Sequence, residues 1–410
     1  MTGPTELPSL PDARFAGLFA EAEALQPRTI ALRREIHRRP ELGLRLPETQ
    51  AAILRALDDL PLEVSTGTAT TSVTAVLRGA KPGPAVLLRG DMDALPMTDD
   101  TGSEFASTVP GAMHACGHDT HVAMLASAAR LLAARRDELA GSVVFMFQPG
   151  EEGFHGARHM IHEGVLDAAG ERVERAFALH TYANAPSGQI GTRPGPILAS
   201  ADSFVVRVTG RGGHGSAPHH ALDPVPAAAE MVGALQAMLT RRVSVFTPAV
   251  LSVTRITAGT TSNVIPETAE LEGTIRTLSE RTRALVRSEL AQVCEGVGAA
   301  HGCRVVVDIE PGYPPTVNEA AEARRVLALT GEVLGERHAH EMPDPVMGAE
   351  DFSYVLQRVP GAFAFLGACP PDTDPDQVAP NHSNRVRYDE AALASGVALY
   401  AAYALDALRG

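Results

Sequence analysis

The chain has 410 residues, of which 45% are hydrophobic and 20% charged, and a formal net charge of -14. It is longer than the roughly 250–300 residues at which a single core stops growing, so two domains are expected. The acidic balance and the lack of a Lys/Arg stripe interleaved with aromatics exclude nucleic acid as a partner, and no apolar run nears the ~18 residues of a membrane span.

Two features bear on location. The opening "MTGPTELPSLPDARFAG" has neither the basic flank nor the apolar core of a secretory signal, and Cys116, Cys294, Cys303 and Cys369 are too scattered for a disulfide framework. Both point to the cytoplasm. Cys294, Cys303 and Cys369 read as small apolar core residues.

In chain order, a helix is expected through "TIALRREIHRR", followed by apolar strands "TSVTAVL" and "AVLL", a helix "THVAMLASAARLLAAR", and strands "SVVFMF" and "AFAL". Helices between short buried strands indicate an α/β sheet covered on both faces. From Ser203 the order becomes strand "SFVVRVTG", helix "DPVPAAAEMVGALQAML", strands "AVLSVTRITA" and "ETAELEGTIRT", helix "SERTRALVRSELAQVCEGVGAAHG" and strand "CRVVVDIE". That βαββαβ order is ferredoxin-like, and Gly/Pro-rich stretches flank it, so 199–310 reads as a domain inserted between 1–198 and 311–410. A helix through "EAAEARRVLALTGEVLG", an apolar "GAFAFLG" and a helix "EAALASGVALYAAYALDAL" complete the first domain.

In open α/β sheets, ligands bind beyond the carboxyl ends of the strands. Three apolar runs end in polar groups: one at Asp91 and Asp93, one at Glu151 and Glu152, one at His180. Each alone is as well explained by helix capping or a local hydrogen bond. Together with "MHACGHDTH" (113–121) they suggest a metal site, because Cys, His and carboxylate are the donors that Zn²⁺ and its neighbours accept. Cys116 and His118 precede a helix, and an extended turn would point both side chains to one side. No second cysteine gives C-x-x-C spacing, so a redox pair or a zinc ribbon is poorly supported. Glu151 and Glu152 diverge if the backbone is extended, leaving one carboxylate for metal and one to deprotonate water.

Eight ordered blocks then carry a resemblance that spans nearly the whole chain: "RREIHRRPELG", "LRGDMDALP", "MHACGHDTH", "QPGEEG", "GGHGSAPH", "TSNVIP", "MGAEDFS" and "NHS". Together they resemble the aminoacylase/carboxypeptidase G-like metallopeptidase family, in particular its branch of hippurate hydrolases, N-acyl-amino-acid amidohydrolases and indole-acetyl-amino-acid hydrolases. The resemblance implies a metal-binding α/β domain with an inserted ferredoxin-like lid that also forms a homodimer or dimer of dimers. It places two divalent metal ions on Cys116, His118, Glu152, His180 and His382, with Zn or Mn favoured and Co or Ni acceptable. Glu151 falls on the general base, and Asp91 and Asp93 support the ligands, although Asp91 stands where other relatives have a ligand histidine.

By the same resemblance, His214 stabilises the oxyanion in the partner subunit's site, and Asn263 and Arg276 bind the substrate's free carboxylate. Asn384 stands where many relatives have proline. His37, His114, His121, His155, His159, His162, His219 and His220 are assigned structural or surface places. The expected reaction is hydrolysis of a small N-acyl amino acid to a carboxylic acid and a free amino acid. Alternatives are a dipeptidase or metallocarboxypeptidase of the same fold and, from another class, a silent dimeric binding protein.

Overall fold

The structure, a computed structural model, describes residues 15–409. Buried Leu18, Ala22, Thr29, Arg33 and Ile36 line one side of the first helix, α1 (Leu18–His37). It begins well before the expected Thr29 and runs through Pro27. Pro27 and Glu23, whose carbonyl the proline cannot bond, are both exposed, so that carbonyl is open to solvent while Leu18 and Ala22 hold the extra turns to the core.

The chain continues through α2 (Pro47–Leu57), β1 (Glu63–Thr66), β2 (Val73–Arg78), β3 (Lys81–Asp91), α3 (His118–Ala134), β4 (Ala140–Gln148), α4 (Gly156–His162), β5 (Val173–Tyr182) and β6 (Ile190–Thr192). After β7 (Gly195–Leu198) come β8 (Asp202–Thr209), β9 (Gly213–His214), α5 (Pro224–Arg242), β10 (Ala249–Ala258), β11 (Val264–Ile265), β12 (Thr268–Thr277), α6 (Glu280–Ala300) and β13 (Arg304–Pro311). Then follow β14 (Thr316–Asn318), α7 (Ala320–Leu334), β15 (Ala339–Glu341), α8 (Ser353–Leu356), β16 (Gly361–Gly367) and α9 (Leu393–Ala407).

Two compact units result. One comprises the described residues through Gly195, Val317–Pro343 and the residues from Tyr354 on; the other comprises Pro196–Thr316 and Asp344–Ser353. The second unit thus takes in the whole "MGAEDFS" block as well as the βαββαβ segment.

The first unit holds an eight-stranded sheet in the order β1-β2-β4-β3-β5-β16-β6-β15. Its central strands β4, β3, β5 and β16 run parallel, and every residue of β4 and β16 is buried, as expected for strands covered on both faces. Helices α3 and α9 pack on β3 and β5, and α1 packs on both helices. The middle of α9 is apolar all round and buried, which suits a helix enclosed by others. Phe177 of β5 stacks on Tyr403 of α9 at 4.7 Å and meets Tyr400 edge-on at 5.6 Å. Phe177→Ala should therefore cost about 3–5 kcal/mol in denaturant unfolding; a loss below about 1 kcal/mol would contradict this packing.

The second unit is a four-stranded antiparallel sheet in the order β10-β12-β8-β13 with α5 and α6 packed against it, the ferredoxin-like arrangement. Burial alternates along β8 and β12, and Phe204, Val206, Val208, Leu271 and Ile275 meet Leu235 and Leu290 in a separate core. Asp223 and Ser279 cap α5 and α6 by accepting the backbone N–H of Val225 and Thr282.

Candidate metal centre

Because β3, β4 and β5 are parallel, their carboxyl ends share one edge of the sheet, with Asp91 registered against Gln148 and Arg89 against Ala178. The strand ends carry Asp91 and then Asp93, Glu151 and Glu152 one turn after β4, and His180 near the end of β5. Between Cys116 and His118 the chain does not take the expected extended turn: Gly117 is left-handed at φ +86°, and His118 is already the first residue of α3. A Cβ at Gly117 would lie 2.8 Å from Thr181 Oγ1 and 3.0 Å from the Tyr388 ring, so this position requires glycine. Likewise, Glu151 and Glu152 sit in a turn that follows left-handed Gly150 (φ +71°) instead of in extended backbone.

Among the groups of three donors into which the side chains converge are Cys116, His118 and His180, and Cys116, Glu152 and His382. Cys116 is common to both. Its Sγ lies 3.4 Å from His180 Nε2 and 3.2 Å from His382 Nε2, while His382 Nε2 lies 3.4 Å from Glu152 Oε1. Two donors bound tetrahedrally at ordinary Zn–N, Zn–O or Zn–S distances stand roughly 3.3–3.6 Å apart. The donor spacing therefore fits a cation.

The ring tautomers point the same way. His118 Nδ1 donates to the Asp93 carbonyl (2.9 Å) and His180 Nδ1 to the Thr181 carbonyl (2.9 Å), so in the neutral ring, the form that binds a metal, the lone pair of each lies on Nε2. His118 Nε2 is buried and makes no hydrogen bond among the described residues. A buried acceptor without a partner is costly, and a divalent ion would satisfy it.

A scaffold of buried polar groups holds these donors. Asp93 accepts the backbone N–H of Glu151 (2.9 Å) and of Glu152 (3.0 Å) on its two carboxylate oxygens, so it aims the glutamate pair as well as His118. Asp91 pairs with buried Arg89 (2.6 Å) and with His121 Nδ1, and its Oδ2 stands 3.4 Å from His118 Nε2. His121 Nε2 accepts the Thr181 backbone N–H (2.7 Å), which links the β3 and β5 ends. Asp91, His118 and His121 form a third compact group of donors, but Arg89 and His121 already engage the Asp91 carboxylate. Beyond His118, Asp119 pairs with Arg33 (2.8 Å) and His37 (2.8 Å).

The electrostatics favour positive charge at the cluster. Burial opposes ionisation of Glu152, but the hydrogen bond from His382 and the charge of His118 bring its carboxyl below the usual range. Hydrogen bonding to Cys116 and Glu152 pushes His382 up to about 10. Burial works against a charged His118, yet the Asp91 and Cys116 charges raise it well above normal. Burial also pushes the Cys116 thiol up, so a thiolate there needs a cation beside it.

His214, Asn263 and Arg276 belong to the second unit. There β9 pairs with β11, placing His214 opposite Val264, and the Gly215 N–H donates to the Asn263 carbonyl (2.8 Å), so His214 and Asn263 are neighbours. Arg276 of β12 is half-buried and, among the described residues, donates only to Thr274 Oγ1 and the Ile275 carbonyl. His155 accepts or donates at Tyr354 Oη (2.9 Å), and His219 and His220 are exposed.

The sequence reading missed Arg33, Arg89, Thr181, Asn381 and Tyr388 as supports. Arg89 had a signal, a charge inside the buried run "AVLLRGD". The others depend on contacts distant in sequence.

A parallel sheet bearing a Cys/His/carboxylate cluster at its carboxyl edge, with a buried glutamate beside it, defines a metallohydrolase. The chain belongs to peptidase family M20/M25/M40, whose model matches residues 87–406. It is 39% identical to a Saccharolobus solfataricus protein named thermostable carboxypeptidase 1, over 92% of this chain and 94% of that one. It is 38% identical to the N-acetylcysteine deacetylase of Bacillus subtilis, over 84% of this chain and 89% of that one. Among solved structures, Bacillus subtilis YXEP, described as a dinuclear metal-binding peptidase of the M20 family, matches with TM-score 0.81 and 34% identity, covering 94% of this chain and 99% of that one.

Proposed function

We propose that this amide-bond hydrolase cleaves N-acyl amino acids to a carboxylic acid and a free amino acid, using two divalent cations. The observation that carries the reading is the pair of donor triads sharing Cys116. Cys116, His118 and His180 would hold one ion, and Cys116, Glu152 and His382 the other. Bound there, the ions would polarise the acyl carbonyl and lower the pKa of a water toward ~7. Thiolate and imidazole donors suit Zn²⁺ or Mn²⁺, with Co²⁺ and Ni²⁺ acceptable.

Glu151 is the general base. It is 6% exposed, its Oε2 lies 4.0 Å from His118 Nε2, and its backbone is pinned by Asp93. Its carboxylate takes a proton from the attacking water and delivers it to the leaving amine nitrogen, which departs as the free amino acid. Asp91 and Asp93 are positioning residues. His214 supplies a donor to the oxyanion in a partner subunit, and Asn263 and Arg276 bind the free carboxylate of the substrate. Half-buried Arg276 makes no ion pair among the described residues, which leaves its charge available for such a ligand. Arg276→Ala should raise KM for N-acetyl amino acids by about 10–100-fold, the worth of a charged hydrogen bond, and leave KM for the matching carboxamides unchanged. An equal effect on both would remove the assignment.

The assembly we propose is a homodimer, or a dimer of dimers, through the second unit, whose edge strand β10 exposes Val250 and Ile256. The four cysteines are unpaired, which suits the cytoplasm.

The similarity to a carboxypeptidase favours a second reading, in which the acyl group is itself an amino acid or peptide. Benzoyl-, acetyl- and indole-acetyl-amino acids assayed against dipeptides, with protein reconstituted with each metal, separate the two. The proposal expects acyl substrates to have the higher kcat/KM; a preference for dipeptides would replace it.

A further inference from the structure

Three of the chain segments that carry donors meet at the side chain of Asn381. Asn381 Nδ2 donates to the carbonyl of Cys116 (3.2 Å) and to that of Thr181 (2.9 Å), and its Oδ1 accepts the backbone N–H of Ala183 (3.0 Å). The orientation of the amide is fixed by chemistry. Carbonyls only accept and a backbone N–H only donates, so Nδ2 must face Cys116 and Thr181, and Oδ1 must face Ala183. The backbone of Asn381 leads directly into His382. One residue therefore ties the Cys116 turn, the end of β5 beside His180, and the loop that bears His382.

His382 needs such a tie more than the other donors. Its side chain is 55% exposed, whereas that of His118 is fully enclosed, so packing does little to fix it. Its backbone is left-handed at φ +68°, which a β-carbon residue holds only when its surroundings impose it. The Ser383 N–H closes a turn around it onto the Pro380 carbonyl (3.0 Å), and the N–H of His382 itself donates to the Ala115 carbonyl (2.8 Å). Ala115 and Cys116 are adjacent, so the His382 bond and that from Asn381 to Cys116 anchor the His382 loop to the same turn.

We propose that Asn381 is a positioning residue that assembles the Glu152/His382 cation site by locking the His382 loop to the Cys116 turn and the end of β5. This rests on the two-cation reading above. The site on Cys116, His118 and His180 depends on it less, because His118 is held by Asp93 and by burial in α3, His180 by β5, and the Cys116 turn also by Tyr388 Oη, which donates to the Ala115 carbonyl (3.1 Å).

The test is calorimetric titration of metal-free protein with Mn²⁺ or Co²⁺, for the wild type, Asn381→Leu, Asn381→Asp and His382→Ala, with the thermal transition of each metal-free protein as control. Asn381→Leu keeps the size but removes all three hydrogen bonds. It is expected to bind one cation as the wild type does and to weaken the other by about 10–100-fold, the usual cost of losing an outer partner of a ligand, approaching His382→Ala in stoichiometry. Asn381→Asp keeps the shape and the acceptor for Ala183 but turns an oxygen toward two carbonyls. The lock predicts weaker binding at the same site, whereas added negative charge alone predicts tighter binding, so this variant also decides the matter if the leucine variant does not fold. Two cations bound by both variants with wild-type affinity would overturn the proposal. A wild type that binds fewer than two would instead overturn the two-cation reading.

Discussion

Glu151→Gln is expected to lower kcat by about 10²–10⁴ while the protein still binds two cations per subunit. The substitution keeps the shape of the side chain and the backbone N–H that Asp93 accepts, so the turn holding Glu152 stays in place. What it removes is the ability to take a proton from water and return it to the leaving amine. Steady-state kinetics on an N-acetyl amino acid, with metal counted by elemental analysis, read both halves of the expectation. Activity within a few-fold of wild type would remove Glu151 as the base. Loss of a cation would make it a ligand instead.

Cys116 carries the second large effect. Because its Sγ belongs to both donor groups, Cys116→Ala should weaken both sites together, by more than the roughly 10–100-fold typical of an outer partner, and reduce turnover to background. Removing His180 or Glu152 should weaken one site preferentially. Cys116→Asp restores an anionic donor able to bridge and should recover part of the binding, with a carboxylate that ionises more readily than a thiol raised by burial. Competition with a chelator measures the affinities. A Cys116→Ala protein that keeps one site at full strength would show that the thiol serves only one ion.

The fold was legible where hydrophobic periodicity is strong. The βαββαβ order of the second unit and the buried strands of the first follow from runs such as "AVLSVTRITA", which matches β10 residue for residue. Three-residue strands such as β6 and β15 carry too little pattern, and the turns of α1 before Pro27 were hidden because proline ordinarily starts a helix. The candidate donors were readable because ligands in such sheets cluster after strand ends. Their supports were not. Arg33 reaches Asp119 across 86 positions and Asn381 reaches Cys116 across 265, and no local spacing announces such pairs. The left-handed Gly117 was equally silent, since its need for glycine comes from Thr181 and Tyr388.

The most direct measurement is activity on an N-acetyl amino acid as metal-free protein is titrated with Mn²⁺ or Zn²⁺, plotted against cations bound per subunit. The two-triad centre predicts no turnover without metal, a rise that is complete at two equivalents, and loss of activity when a chelator removes them. Full activity in the metal-free protein, or saturation at a single equivalent, would contradict it.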